Sequence, residues 1–134
     1  MRWPILLSLC VALFGLSSCE PSDNADTKPA VNPTIVLTMD SGYTFEDDTI
    51  GMGDTVRVGV TIDRGTDAMH HFKVAVSYDG NVPAVTDSLP MGIDHFEFEK
   101  VIVSRSQAGT EKWTFGITEN DGDVIRRSVT LTVQ

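Results

Sequence analysis

The chain is 134 residues long, carries 19 acidic and 10 basic side chains for a net charge of −9, and is 41% hydrophobic. That length holds one ordinary domain plus any processed or linking segments. The acidic balance argues against nucleic acid, or an anionic lipid surface, as a partner recognised through a basic face.

At the N-terminus Arg2 forms a short positive region, and Ile5 to Leu16 is an apolar run of 12 residues. Such a run is too short to cross a bilayer comfortably and suits the hydrophobic region of a signal peptide. No basic stop-transfer cluster follows it. The small residues Ser17 and Ser18 come next, then Cys19. Leu16-Ser17-Ser18-Cys19 resembles the lipobox of bacterial lipoproteins. The resemblance implies that the Cys19 thiol is diacylated, that cleavage falls just before it, and that the new amino group is acylated. Cys19 would then be the first residue of a membrane-anchored mature protein. Residues 1–18 carry a single charge, Arg2, so the mature chain has 19 acidic and 9 basic residues, a net of −10. Beyond Cys19 there is no cysteine, so neither a disulfide nor a thiolate metal site is available and stability must come from core packing.

Residues 19–33 contain Pro21, Pro29 and Pro33 and almost no large apolar side chain. They cannot bury enough surface to offset the entropy of ordering, and read as a flexible acidic tether. Glu20, Asp23 and Asp26, directly after the lipid site, resemble the export signal that carries lipoproteins to the outer surface of Bacteroidota-type cells. That resemblance implies an outer-membrane, surface-exposed protein.

From residue 34 to 134 the apolar residues alternate. Thr34 to Asp40 places Ile35, Leu37 and Met39 on one face. Glu46-Asp47-Asp48 reads as an exposed loop. Thr55 to Ile62 turns Val56, Val58, Val60 and Ile62 inward, and His71 to Tyr78 does the same with Phe72, Val74, Val76 and Tyr78. The stretch to Gly92, holding Pro83 and Pro90, reads as an irregular crossing or a poor edge strand. Asp94 to Val103 slips phase between Phe96 and Phe98 and Val101 and Val103, which a β-bulge near Glu99-Lys100 would reconcile. Thr110 to Gln134 is a long hairpin: Trp113, Phe115 and Ile117 alternate in one strand, Val129, Leu131 and Val133 in the other, and Asp121-Gly122 lies between. An Asp-Gly pair in that position predicts a type I′ turn.

No segment of the mature chain has helical apolar spacing, so the reading is all-β: a sandwich of about seven strands with Greek-key connections. The Thr110-to-Gly122 run feeding a final Val-Thr-Leu-Thr-Val strand, with Gly51-Met52-Gly53-Asp54-Thr55-Val56 leading into an earlier one, resembles bacterial immunoglobulin-like domains of the PKD and cadherin-like kind. The resemblance spans about Pro33 to Gln134 and implies a fold; the same fold hosts unrelated roles.

The sequence holds no Gly-x-Ser-x-Gly, His-Glu-x-x-His or phosphate-binding glycine loop, and no catalytic residue or cofactor is expected. His70 and His71 point to opposite faces of one strand; His95 with Asp94 and His71 could meet across strands. Glu119, Asp121 and Asp123 crowd the hairpin tip and are hard oxygen ligands of the kind calcium uses. EF-hand spacing is absent and Asp-Gly is explained by the turn, so the expectation is solvated carboxylates without a bound metal. Trp113 is expected in the core. Tyr43, Phe45 and Tyr78 are the aromatics that could form a sugar-stacking platform. Arg126 and Arg127 are expected to pair with the acidic surface. The functional expectation is a non-catalytic, lipid-anchored envelope protein acting in interaction or assembly at the outer membrane. The alternative is a carbohydrate- or glycan-binding module, which requires exposed aromatics lining a groove.

Overall fold

A computed structural model describes residues 28–134. The expected signal segment 1–18, the expected lipid site Cys19 and the first part of the expected tether lie outside the described residues.

The alternation seen in the sequence becomes eight strands: β1 (Thr34–Leu37), β2 (Asp48–Ile50), β3 (Thr55–Asp63), β4 (Met69–Tyr78), β5 (Ala84–Pro90), β6 (His95–Val103), β7 (Gly109–Glu119) and β8 (Val124–Val133). They form two sheets, β1-β3-β6 and β2-β8-β7-β4-β5. Every pairing is antiparallel except β2 with β8, which is parallel. The small sheet thus holds the strands lettered A, B and E in immunoglobulin domains, and the large sheet those lettered C, F and G. The described residues form an all-β, immunoglobulin-like sandwich.

The inward positions of both sheets make one core. Val58, Val60 and Ile62 of β3, Phe72, Val74 and Val76 of β4, Phe115 and Ile117 of β7, and Val129 and Leu131 of β8 are all at most 3% exposed. Phe72 packs between Phe96 and Phe98 of the facing sheet, with centroids 5.4 and 5.1 Å away, distances at which tilted rings attract. Trp113 is in this core at 6% exposure.

Several expectations are corrected. The β6 register runs unbroken against β3 from Thr55↔Val103 to Asp63↔His95, so no bulge lies near Glu99-Lys100. Phe96, Phe98, Lys100 and Ile102 share the inner face, while Val101 and Val103 point to solvent. A lysine at an inward position imitates a phase slip. Its stem crosses the sandwich margin, and Nζ meets Asp87 Oδ2 of β5 at 2.6 Å and stands 5.7 Å from the Trp113 ring centre. The register irregularities fall in β4 instead, at Val74/Ala75 against β5 and Met69/His71 against β7.

The closing hairpin is not type I′. Gly122 has φ of 100°, but Asp121 is not in the positive-φ region. The Glu119 N–H donates to the Asp123 carbonyl at 2.9 Å and Gly122 N–H to the Glu119 carbonyl at 3.0 Å, enclosing Asn120, Asp121 and Gly122. That is a three-residue loop, a tight turn followed by a left-handed glycine bulge. The type I′ backbone occurs at the other Asp-Gly, where Asp79 and Gly80 have φ of 52° and 76° and Asn81 N–H closes onto the Tyr78 carbonyl at 2.9 Å.

The Asp48 end of the expected acidic loop forms β2, and Asp47 Oδ1 accepts the Thr130 N–H at 2.7 Å on the adjoining strand. The stretch expected to be an irregular crossing or a poor edge strand is the edge strand β5, which follows Pro83, ends at Pro90 and pairs β4 with the register break at Val74/Ala75. β1 ends at Leu37, so Met39 is 72% exposed, and Tyr78, at the end of β4, is 40% exposed. Within the expected tether, Pro33 is buried, and Val31 exchanges hydrogen bonds with Thr66: N–H to Oγ1 at 2.8 Å and carbonyl from N–H at 2.7 Å.

Candidate functional site

The large sheet turns its outer face to solvent, and residue size shapes it. Across β4, β7 and β8, Lys73 lies opposite Gly116 and Gly116 opposite Arg126. The neighbouring row is Ala75, Thr114 and Ser128, and Val85 of β5 extends it. Glycine, alanine and hydroxyl side chains make a low floor, and Thr114 and Ser128 join across it through their hydroxyls at 3.0 Å. Pro83 and Val124 close the sides of a trough of about 590 Å³. Three cations, Lys73, Lys112 and Arg126, line it and no carboxylate does. On a chain of net charge −9 this is a local reversal of sign. Strands are spaced about 4.8 Å apart, so the backbones of Lys73 and Arg126 stand about 10 Å apart across Gly116. This arrangement can hold an anionic group over the glycine, between two positive charges. Sequence reasoning did not find it, because the row joins three strands distant in the chain. The period-two pattern does put each cation on the outward phase.

The arginines expected to pair with the acidic surface do otherwise. Arg126 leans over the trough, its Cγ lying 3.5 Å from where a Gly116 side chain would begin. Arg127 Nε donates to the Ile35 carbonyl of the facing sheet at 3.2 Å.

The histidines do not converge. His71 is on the large sheet, its Nε2 2.6 Å from Ser88 Oγ. His95 is on the small sheet, with Nδ1 2.6 Å from Asp63 Oδ1 and Nε2 3.6 Å from Glu97 Oε1. The hydrogen bond to Asp63 holds the His95 imidazole above its ordinary pKa range, against a smaller opposing effect of burial. Both ring nitrogens face carboxylates, so neither faces a hydroxyl or thiol that it could activate. Asp94 pairs with Arg64 at 2.9 Å rather than joining His95.

Nor do the exposed aromatics form one platform. Tyr43 lies over Gly59 of the small sheet, where an added Cβ would sit 3.0 Å from its ring. Its hydroxyl donates to Glu99 at 2.6 Å, which raises the pKa of the phenol. Phe45 follows Thr44, whose N–H bonds to Arg57 of β3. Tyr78 ends β4 in the other sheet and carries the Arg105 guanidinium 5.8 Å from its ring centre. The glycan alternative requires a groove that these three do not share.

At the hairpin tip the structure does gather the acidic residues of the sequence: carboxylate oxygens of Glu119, Asp121 and Asp123 lie within 4.8 Å of one another. Asp121 and Asp123 are exposed. Glu119 is not; it is 3% exposed.

No family model matches the chain, and no curated protein matches it. Solved structures similar to it include a CARDB domain from Pyrococcus furiosus determined in complex with di-metal ions, at 13% identity and TM-score 0.45, covering 78% of this chain and 96% of that one. Another is a structure from work on T cell recognition of the superantigen toxic shock syndrome toxin-1, at 7% identity and TM-score 0.49, covering 77% and 100%. A third is murine CRIg, at 12% identity and TM-score 0.40, covering 77% and 98%. The strand order itself, rather than these distant likenesses, makes the sandwich immunoglobulin-like.

Proposed function

We propose that this chain is a non-catalytic, lipid-anchored protein of the cell envelope, held at the outer membrane through Cys19. Its sandwich serves as an interaction module that binds an acidic segment of a partner protein. The observation that carries the binding half is the trough on the large sheet: Lys73, Lys112 and Arg126 around a floor of small residues, without a carboxylate, on an acidic chain. Charge reversal of that kind steers an oppositely charged partner and rejects like-charged surfaces. The resemblance of Leu16-Ser17-Ser18-Cys19 to a lipobox supports the anchoring half.

The test uses the full chain in cells. Wild type should label with a fatty-acid probe and fractionate with membranes, and Cys19→Ala should do neither. A photo-crosslinking residue in place of Thr114 should capture an acidic envelope protein, and Lys73→Glu with Arg126→Glu should abolish the adduct. An adduct that survives the double reversal overturns the binding half. Equal labelling of wild type and Cys19→Ala overturns the anchoring half. Capture of an anionic glycan instead moves the function to the glycan-binding alternative.

A further inference from the structure

The inward phase of β7 begins and ends on glutamates, and the two are treated differently. Glu111 accepts from Arg105 N–H at 2.7 Å and from Trp113 Nε1–H at 3.1 Å, so both of its oxygens are used. Glu119 is 3% exposed, and its Oε1 is buried without a hydrogen-bond donor among the described residues. What surrounds it is more negative charge. Asp121 and Asp123 bring carboxylate oxygens to within 4.8 Å. The chain between β3 and β4 is drawn against the tip by Asn120 N–H donating to the Ala68 carbonyl at 2.9 Å, which brings Asp67 near. Burial first, then the charges of Asp121, Asp67 and Asp123, push the Glu119 carboxyl above its ordinary range. Among the described residues no lysine, arginine or histidine makes an ion pair with any of these four.

We propose that the β7–β8 tip is a calcium site, with Glu119 as the inner ligand and Asp121 and Asp123 as the outer ones. Asp67 adds charge from the neighbouring connection. The spacing suits the ion. Two oxygens that each lie about 2.3–2.6 Å from a calcium stand at most about 5 Å apart, whereas magnesium, at about 2.0–2.1 Å and strictly octahedral, spans only about 4 Å. The three carboxylate oxygens lie within 4.8 Å of one another, close enough for small side-chain movements to bring them onto one calcium ion. The exposed side leaves positions for water, as calcium sites commonly do. The left-handed Gly122 sets the chain reversal that brings Asp123 back to the tip, and Asp121 Oδ1 accepts the Asp123 N–H at 3.0 Å, which orients the pair. The site is independent of the trough on the sheet face.

The competing account is a Glu119 that simply stays protonated in its buried position. The two are separated on the full chain in detergent by thermal unfolding and titration calorimetry. Extracellular calcium modules bind with Kd of about 10⁻⁴–10⁻³ M. At about 10 mM calcium a site of that class is in roughly ten- to hundredfold excess and should raise the Tm by about 5–15 °C, saturably. Magnesium should give a small, non-saturating change, and calorimetry should report one calcium per chain. Glu119→Gln should unfold no lower than wild type without calcium, since it removes a buried like charge, yet should lose the calcium response. Asp121→Asn with Asp123→Asn keeps the turn's acceptors and should lose it too, which covers the case of a Glu119→Gln chain that fails to fold. Absence of a saturable rise in wild type, an equal response to magnesium, or a response retained in the Asp121/Asp123 variant overturns the site.

Discussion

Replacing Glu111 by alanine tests whether a polar group inside the sandwich holds the start of β7 against the connection leaving β6. Glu111 is 1% exposed. Its Oε1 receives the backbone N–H of Arg105, in the connection leaving β6, and its Oε2 receives the indole N–H of Trp113. Alanine removes both acceptors and strands a buried indole N–H and a part-buried backbone N–H. A stranded buried donor costs about 1–3 kcal/mol. The void left by the missing side chain adds about 1 kcal/mol where the walls collapse only in part. Two donors, one of them only part-buried, and the void give an expected loss in the lower half of the sum, about 3–5 kcal/mol. Against a typical total of about 5–15 kcal/mol this is a large fraction, and it corresponds to a Tm drop of about 10–20 °C for a domain of this size. Glu111→Gln keeps one carbonyl acceptor but turns an amide NH₂ toward the other donor, so its loss should be about 1–3 kcal/mol. Urea and thermal unfolding followed by far-UV circular dichroism measure both. A loss below about 1 kcal/mol for Glu111→Ala, or equal losses for Ala and Gln, would refute the reasoning.

Two further predictions follow from the same core. Trp113→Ala empties a large aromatic position and should cost about 3–5 kcal/mol; a loss under about 1 kcal/mol in urea unfolding would place the indole at the surface. At Asp87, burial pushes the carboxyl up, but the hydrogen bonds from Lys100 and Thr86 and the charge of Lys100 outweigh it and hold it below the ordinary range. A depressed carboxyl contributes stability above its unfolded pKa and loses it as pH falls through the folded value. The stability advantage of wild type over Asp87→Asn should therefore be constant near neutral pH and vanish on acidification below the ordinary aspartate range. An advantage that persists in acid would contradict the Lys100–Asp87 assignment.

The fold was legible where side-chain period did the work. The alternation of Val56, Val58, Val60 and Ile62, and of Trp113, Phe115 and Ile117, fixes which face of each strand is buried without further information. It failed where one residue carried two signals. Lys100 looked like a break in the inner face of β6 because period alone reads charge as outward, whereas a long stem lets a lysine cross the margin and find Asp87 on the facing sheet. Asp121-Gly122 and Asp79-Gly80 are the same dipeptide, yet the first closes a three-residue loop and the second a type I′ turn. What separates them is loop length, set by how the flanking strands register. β2, with three residues, is too short for period to mark, and its pairing with β8 is long-range.

The site illustrates a different limit, and here the sequence held more than composition suggests. Counting acidic residues at the hairpin tip treats Glu119, Asp121 and Asp123 alike and leads to solvated carboxylates. Parity does not: Glu119 continues the odd-numbered series Glu111, Trp113, Phe115, Ile117, every member of which is buried. A carboxyl on the inward phase, one position before the turn, has to be neutralised by a proton, by a donor, or by a cation. The sequence can pose that choice, and the structure narrows it. Glu111, at the other end of the series, has two donors; Glu119 has an oxygen with none among the described residues, and two carboxylates in front of it. The trough on the large sheet reverses this pattern, since Lys73, Gly116 and Arg126 are unremarkable singly and become a row only through the register of three strands. Phase locates a buried charge from sequence, whereas a cluster of exposed charges is located by register, and register is what the folded chain supplies.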